Sequence, residues 1–171
     1  HWYYVVKKSQ TLSKILISGD GGDELLGGYT FRYNKFLSLT SENSTPLEKA
    51  KMYLECHERD RVPDQENIFN QKSNFSWNSI HQILLPYFDN KLSRLEQVYL
   101  ADYNGKLLYN FNPVNSRIVN NFGMEMLAPI LNDELLSTAP HMPTKYKYDE
   151  SANIGKLPLR TILKQNGHDS L

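Results

Sequence analysis

A short apolar run, Ile15-Leu16-Ile17, stands between Lys14 and Ser18 and passes directly into Gly19-Asp20-Gly21-Gly22-Asp23-Glu24-Leu25-Leu26-Gly27-Gly28-Tyr29. Its β-branched residues and brevity predict a buried strand over Lys14 to Ser18. A buried strand that ends in an acidic, glycine-rich turn fits an open parallel α/β sheet. In such sheets ligands bind beyond the carboxyl ends of the strands. The expected fold class is therefore α/β, with the first strand delivering a loop to a ligand.

The loop's composition suggests which ligand. Ser18, Gly19, Gly21 and Gly22 are small, so the backbone can approach a bound group closely. Asp20, Asp23 and Glu24 put three carboxylates into the seven residues Ser18–Glu24. Like charges that close repel, and a cation between them removes the cost. Hard carboxylate oxygens suit Mg²⁺, which takes one or two carboxylates together with substrate phosphates. A tight turn with solvated acids is the plain alternative, since Asp and Gly are common turn residues. An EF-hand loop fits poorly, because Gly22 stands where that loop needs a ligand. Gly27-Gly28 is expected to let the next helix pack closely.

The rest of the chain reads as helical. Tyr4 to Ser13 forms a helix or the approach to the strand. Thr45-Pro46 with Glu48 marks a helix start, and Pro46 to Arg61 carries Leu47, Ala50, Tyr53, Leu54 and His57 on one face. Val62 to Asn74 reads as a polar loop. Trp77 to Phe88, Lys91 to Tyr109 and Val114 to Met126 read as helices, the last ending near Pro129. Asp133 to Ala139 is a short helix, Pro140 to Asn153 an irregular loop, and Lys156 to Gln165 a last helix closed by Gly167.

Bulk properties narrow the function. The chain has 171 residues, enough for one ordinary domain, and its formal net charge is zero. Zero charge gives no support for binding nucleic acid or a membrane surface. No apolar run approaches the roughly 18 residues of a membrane helix. The single cysteine, Cys56, cannot form an internal disulfide and reads as packing or surface filler; this suits the cytoplasm. The chain opens on His1 and an aromatic, apolar stretch to Val6, which reads as the interior of a domain.

Ser18 to Tyr29 resembles the Ser-Gly-x-Gly-x-Asp-Glu-Leu-x-Gly-Gly-Tyr motif of the asparagine synthetase family, glutamine-hydrolysing enzymes that adenylate aspartate with ATP. The resemblance implies that Asp23 holds magnesium pyrophosphate and that Ser18, Gly19, Gly21 and Gly22 line that site. It places Asp20, where many relatives have glutamate, near the reacting carboxylate. Arg117 to Leu131 is similar to the family's arginine followed by Gly-Leu-Glu-x-Arg-x-Pro-Phe-Leu-Asp. Arg117, Gly123, Glu125, Pro129 and Leu131 match, whereas Leu127 replaces an arginine and Asn132 an aspartate. Glu125 is thereby expected near the active site, with a helix-surface carboxylate as the alternative. Gly155-Lys156-Leu157-Pro158-Leu159-Arg160 resembles the family's Gly-Lys-x-x-Leu-Arg. It implies that Lys156 reaches the adenylate and that Arg160 supports it or pairs with a carboxylate; Gly155 and Asn153 let the preceding loop bend.

The resemblance implies a predominantly helical portion of a PP-loop ATP pyrophosphatase-like, adenine-nucleotide-binding parallel-sheet domain. It makes residues 1–171 the C-terminal portion of a ligase domain. The family's Ser-Gly-Gly-x-Asp-Ser phosphate loop and N-terminal glutaminase cysteine do not occur in this sequence, so the expected partners include preceding segments of the same enzyme. The expected activity is conversion of aspartate to asparagine through an acyl adenylate, with ATP, Mg²⁺ and glutamine-derived ammonia. A homodimer is among the assemblies the resemblance allows. Related chemistry on another carboxylate, as in β-lactam synthetases, and a non-catalytic helical scaffold are the alternatives. A metal-dependent sugar transferase would leave the Glu125 and Lys156 stretches without a purpose.

Overall fold

The computed structural model describes residues 1–57, 65–69 and 73–168. In chain order the elements are α1 (Trp2–Ser9), β1 (Ile15–Ile17), α2 (Gly22–Leu26), α3 (Thr30–Leu39), α4 (Pro46–Glu55), α5 (Gln65–Ile68), α6 (Trp77–Phe88) and α7 (Arg94–Ala101). A π-helix (Asp102–Phe111), α8 (Asn112–Asn121), β2 (Glu125–Leu127), α9 (Asp133–Thr138) and α10 (Leu157–Gln165) follow, with short 3-10 turns between the later elements. The fold is mostly helical with a small parallel sheet. The chain divides into two compact units, His1–Gly28 with Asp102–Leu171, and Tyr29–Ala101.

In the first unit β1 pairs with β2 in parallel, with Ile15 opposite Glu125, Leu16 opposite Met126 and Ile17 opposite Leu127. Strand alternation sends Leu16 and Met126 to one face. There they pack with Val6 of α1, with Val119, Ile118 and Phe122 at the end of α8, and with Met124. The opposite face is open: Ile15 is 49 %, Ile17 71 % and Leu127 51 % exposed. The expected buried strand is thus covered on one side only, because the described residues place helices on just one face of the two strands. A second cluster holds α2 in place. Leu25 and Leu26 are buried with Leu107 of the π-helix and Ala139, and Tyr103, Leu135, Leu136 and Leu159 close around them. Each fully buried leucine of this kind contributes about 2 kcal/mol.

The second unit is built on aromatic side chains. Phe88 of α6 lies 5.9 Å from Phe36 of α3 and 5.5 Å from Tyr53 of α4, ring centre to ring centre. Tyr33 and Tyr99 meet edge to face at 5.1 Å, and such pairs add to simple burial. Arg94 ties α7 to the end of α3 by donating to the Leu37 carbonyl at 2.8 Å and to Glu42 at 2.9 Å. Thr45 opens α4 with the expected cap, and Glu48 in return accepts a hydrogen bond from the Thr45 amide. Cys56 is buried packing.

Several expectations are corrected. Val114 to Met126 is not one helix: α8 stops at Asn121, Gly123 takes φ +61°, and Glu125–Leu127 forms β2. The apolar residues there fit either period, and pairing with β1 decides for strand. Glu125 therefore sits on a strand and not on a helix. The second half of the acidic loop is already helical, since α2 begins at Gly22. The helix expected after Gly27-Gly28 is Thr30–Leu39. Lys91 to Tyr109 is α7 and then a π-helix. Helix α4 closes at Glu55, and Leu47 on its predicted inner face is 37 % exposed. Of the expected polar stretch 62–74, Gln65–Ile68 is a helical turn, while 62–64 and 70–72 lie outside the described residues, as do 58–61 of the predicted Pro46 to Arg61 helix.

Candidate functional site

The candidate site belongs to the first unit and starts where β1 ends. The Ser18 amide donates to the Leu127 carbonyl at 2.9 Å, which extends the ladder by one bond. The chain then turns sharply at Gly21, which has φ +87° and caps α2. A Cβ at Gly21 would stand 2.2 Å from Leu131 Cδ2, so glycine is required for both space and conformation. The Leu25 amide donates to the Gly21 carbonyl at 2.9 Å and closes the first turn of α2. Asp23 and Glu24 fall in that turn and point to different surroundings.

Asp23 is half-exposed, and its Oδ1 lies 2.9 Å from Lys156 Nζ, whose side chain is exposed to the same degree. The two residues are 133 positions apart in sequence, and the fold makes them an ion pair. Gly28 leaves the room for it. A Cβ there would stand 1.8 Å from Asp23 Oδ1 and 2.5 Å from Lys156 Cε. The sequence reading gave Gly28 a helix-packing role; the structure gives it this one. Gly27, at φ +75°, ends α2.

Lys156 is held by its backbone as well. It takes φ +56° and precedes α10, and its amide donates to the Leu26 carbonyl at 2.9 Å. Left-handed backbone in a lysine costs about 1 kcal/mol, and the Leu26 bond offsets it. The loop before it is tied down. Asp149 and Ile154 form an antiparallel bridge, and the Tyr148 hydroxyl donates to Asn153 Oδ1 at 3.0 Å. Burial foremost, then the nearby Glu150 and Asp149 carboxylates, raise the Tyr148 phenol above its ordinary pKa and keep it a donor. Asp149 accepts from the Ser151 hydroxyl and the Ala152 amide, which lower its pKa. Asn153 supplies the bend at φ +52°, as expected. Arg160 Nε donates to the Gly155 carbonyl at 3.0 Å, so it supports the Lys156 loop.

The other predicted residues fall as follows. Asp20 is half-buried, and its Oδ2 accepts a hydrogen bond from Asn115 Nδ2 of α8 at 2.9 Å. Ser18 Oγ lies 3.5 Å from the Asp20 amide, and Gly19 is exposed between them. Gly22 is buried, and a Cβ there would stand 3.3 Å from Ile130 Cδ1. Glu24 is buried, with Lys106 Nζ of the π-helix 3.9 Å from its Oε1. The three carboxylates therefore do not converge, and among the described residues no group of three or more His, Cys, Asp and Glu side chains gathers around one point. Glu125 is exposed at the amino end of β2, opposite Ile15, while the acidic loop leaves the carboxyl end of β1. The structure does not bring it to the Asp23–Lys156 pair. Arg117 is exposed on α8. Asn132 caps α9 by accepting from the Leu135 amide at 2.9 Å, a task aspartate performs equally well. Asn115 and Lys106 carried no sequence signal, because each acquires its acidic partner only through the packing of the π-helix and α8.

A divalent ion fits this arrangement in one way. Glu24 is buried and engaged, so Asp23 is the carboxylate available on α2. One carboxylate suits a magnesium ion that brings phosphate oxygens with it, not a cage made by protein alone. A cavity of about 490 Å³ lies beside the Lys156 loop, lined by Thr144, Tyr148, Asp149, Glu150 and Leu157 among others, but none of Asp20, Asp23 and Lys156 lines it. Among the described residues no helix is long and apolar enough to cross a membrane.

A family model described as asparagine synthase matches residues 1–170. No curated protein and no solved structure matches the chain. The model spans the acidic glycine loop and the Gly-Lys loop that form the Asp23–Lys156 pair as well as the Arg117 to Leu131 segment, and the chain belongs to the asparagine synthase family.

Proposed function

We propose that the chain is the C-terminal portion of an ATP-dependent amide-forming ligase of asparagine synthetase type, within a PP-loop ATP pyrophosphatase-like domain. The ATP-cradling loop and the glutaminase lie in other segments of the enzyme. The substrate carboxylate is aspartate, the nitrogen is ammonia derived from glutamine, and the products are asparagine, AMP and pyrophosphate. The observation that carries this reading is the Asp23–Lys156 pair at 2.9 Å, formed from the two family motifs that lie farthest apart in the chain.

The residues divide the work. Asp23 would hold the magnesium of magnesium pyrophosphate, while Ser18 and the exposed Gly19 let the phosphates approach the backbone and Gly21 and Gly22, packed against Leu131 and Ile130, shape the turn. The magnesium would supply charge neutralisation for the leaving pyrophosphate. The substrate carboxylate attacks the α-phosphorus, and pyrophosphate departs toward Asp23. Ammonia then attacks the acyl carbon, and negative charge grows on the carbonyl oxygen and on the phosphate. The Lys156 ammonium stabilises that charge, as a donor in an oxyanion hole does. Asp20 orients the nitrogen and accepts its proton. Arg160 fixes the Gly155 carbonyl and so the Lys156 loop. Glu125 keeps a role on family resemblance alone. Asn132 favours no other acceptor, because its side chain caps α9; Leu127 is exposed at the end of β2 and leaves the choice of carboxylate to a substrate panel.

Calorimetry of magnesium pyrophosphate binding to the chain tests the reading. Wild type is expected to bind, and Asp23→Asn to bind about tenfold or more weakly. In the complete ligase, Lys156→Ala is expected to lower amide formation by about 10² to 10³, the cost of one preorganised donor, with ATP affinity nearly unchanged. Wild-type rates and affinities in both variants would overturn the assignment.

A further inference from the structure

Asp20 and Asp23 leave the same strand and meet different kinds of partner. Asp23 faces an ammonium. Asp20 faces an uncharged amide, with Asn115 Nδ2 donating to its Oδ2 at 2.9 Å. Both side chains in this second pair are half-buried. Asn115 belongs to α8, whose Val119 is fixed in the sheet-side core, so the packed scaffold and not the loop sets the position of the donor. The Nδ2 group can only donate, which makes Asp20 the acceptor. An amide carries no net charge, so it fixes the plane of the carboxylate without neutralising it. A lysine there would have paired with it, as Lys156 does with Asp23. Among the described residues no side chain or amide donates to Asp20 Oδ1.

We propose that Asn115 is a positioning residue that fixes Asp20 so that Oδ1 takes the proton released by the attacking nitrogen; this rests on the ligase reading given above. In that step the ammonia lone pair forms the C–N bond and the carbonyl π pair moves onto oxygen. The ammonium proton passes to Asp20 Oδ1. The carbonyl re-forms, the bond from carbon to the phosphate oxygen breaks, and AMP leaves with the electron pair. Adenylation needs no such proton acceptor, because the carboxylate attacks phosphorus as an anion and pyrophosphate departs. A defect at Asn115 therefore falls on the second half-reaction.

The test separates the two half-reactions in the complete ligase: carboxylate-dependent ATP–pyrophosphate exchange for adenylation, and amide formed from ammonia for the second. Asn115→Ala is expected to keep exchange within about twofold and to lose amide formation by about tenfold or more, in line with general-base contributions of 10² to 10⁴ when the base is removed outright. Asn115→Leu, of similar volume and without a donor, gives the same split if the alanine variant folds poorly. The Asn115→Asp/Asp20→Asn double variant exchanges donor and acceptor. It is expected to restore thermal stability and not amide formation, which separates positioning from a merely structural bond. Equal losses in both half-reactions, or recovery of amide formation in the double variant, overturn the inference while the ligase reading stands. A wild-type enzyme without carboxylate-dependent exchange overturns the ligase reading and takes this inference with it.

Discussion

At Gly28 the space for one methyl group is already occupied by the functional pair. A Cβ there would meet Asp23 Oδ1 at 1.8 Å and Lys156 Cε at 2.5 Å. Both contacts are the far ends of flexible side chains, so Gly28→Ala is expected to fold and to push the pair apart. Magnesium pyrophosphate affinity should fall about tenfold, equivalent to about 1.4 kcal/mol, with a small change in melting temperature; calorimetry and thermal unfolding of one sample measure both. An unchanged affinity would show that the pair tolerates separation. The half-exposed ion pair is itself worth only about 1 kcal/mol of stability, so its value lies in where it holds the two charges.

Helix α4 was readable from its first four residues. Thr45 caps, Pro46 fills the first position and Glu48 completes the reciprocal bonds, with the Thr45 amide donating to Glu48 Oε2 at 2.7 Å and the hydroxyl at 2.9 Å. Thr45→Ala is expected to cost about 1 kcal/mol, a fall of about 2–4 °C in melting temperature. The Thr45 amide first, then its hydroxyl, holds the Glu48 carboxyl below its ordinary value of 4.5. A depressed folded pKa gives stability that is present above the unfolded pKa and is lost as pH falls through the folded one. The difference in melting temperature between wild type and Glu48→Ala should therefore narrow below pH 4.5, read by circular dichroism across a pH series. Strand β2 was not readable. Glu125-Met126-Leu127 is three residues long, and only register against β1 distinguishes it from a continuation of α8. The π-helix has no local signature at all.

For the molecule as a whole, the chain alone is expected to bind magnesium pyrophosphate without catalysing exchange of ATP with pyrophosphate, because its sequence holds no Ser-Gly-Gly-x-Asp-Ser loop. Exchange with aspartate and magnesium by these 171 residues alone would show that they cradle ATP in another way. By itself the sequence determined the features that depend on near neighbours: the strand before the glycine loop, the Thr45 cap, the helix Trp77–Phe88, and the three stretches that place the chain in its family. Tertiary structure alone decided the partners. It set Asp23 against Lys156, Asp20 against Asn115 and Glu24 against Lys106. Three nearby acids read in sequence as one cation site, but Asp23 and Glu24 are neighbours on α2, where successive side chains diverge by about 100°, and Asp20 precedes the helix in the turn. Each acid was therefore assigned by whichever distant element the core packed against it, and that packing has no local code.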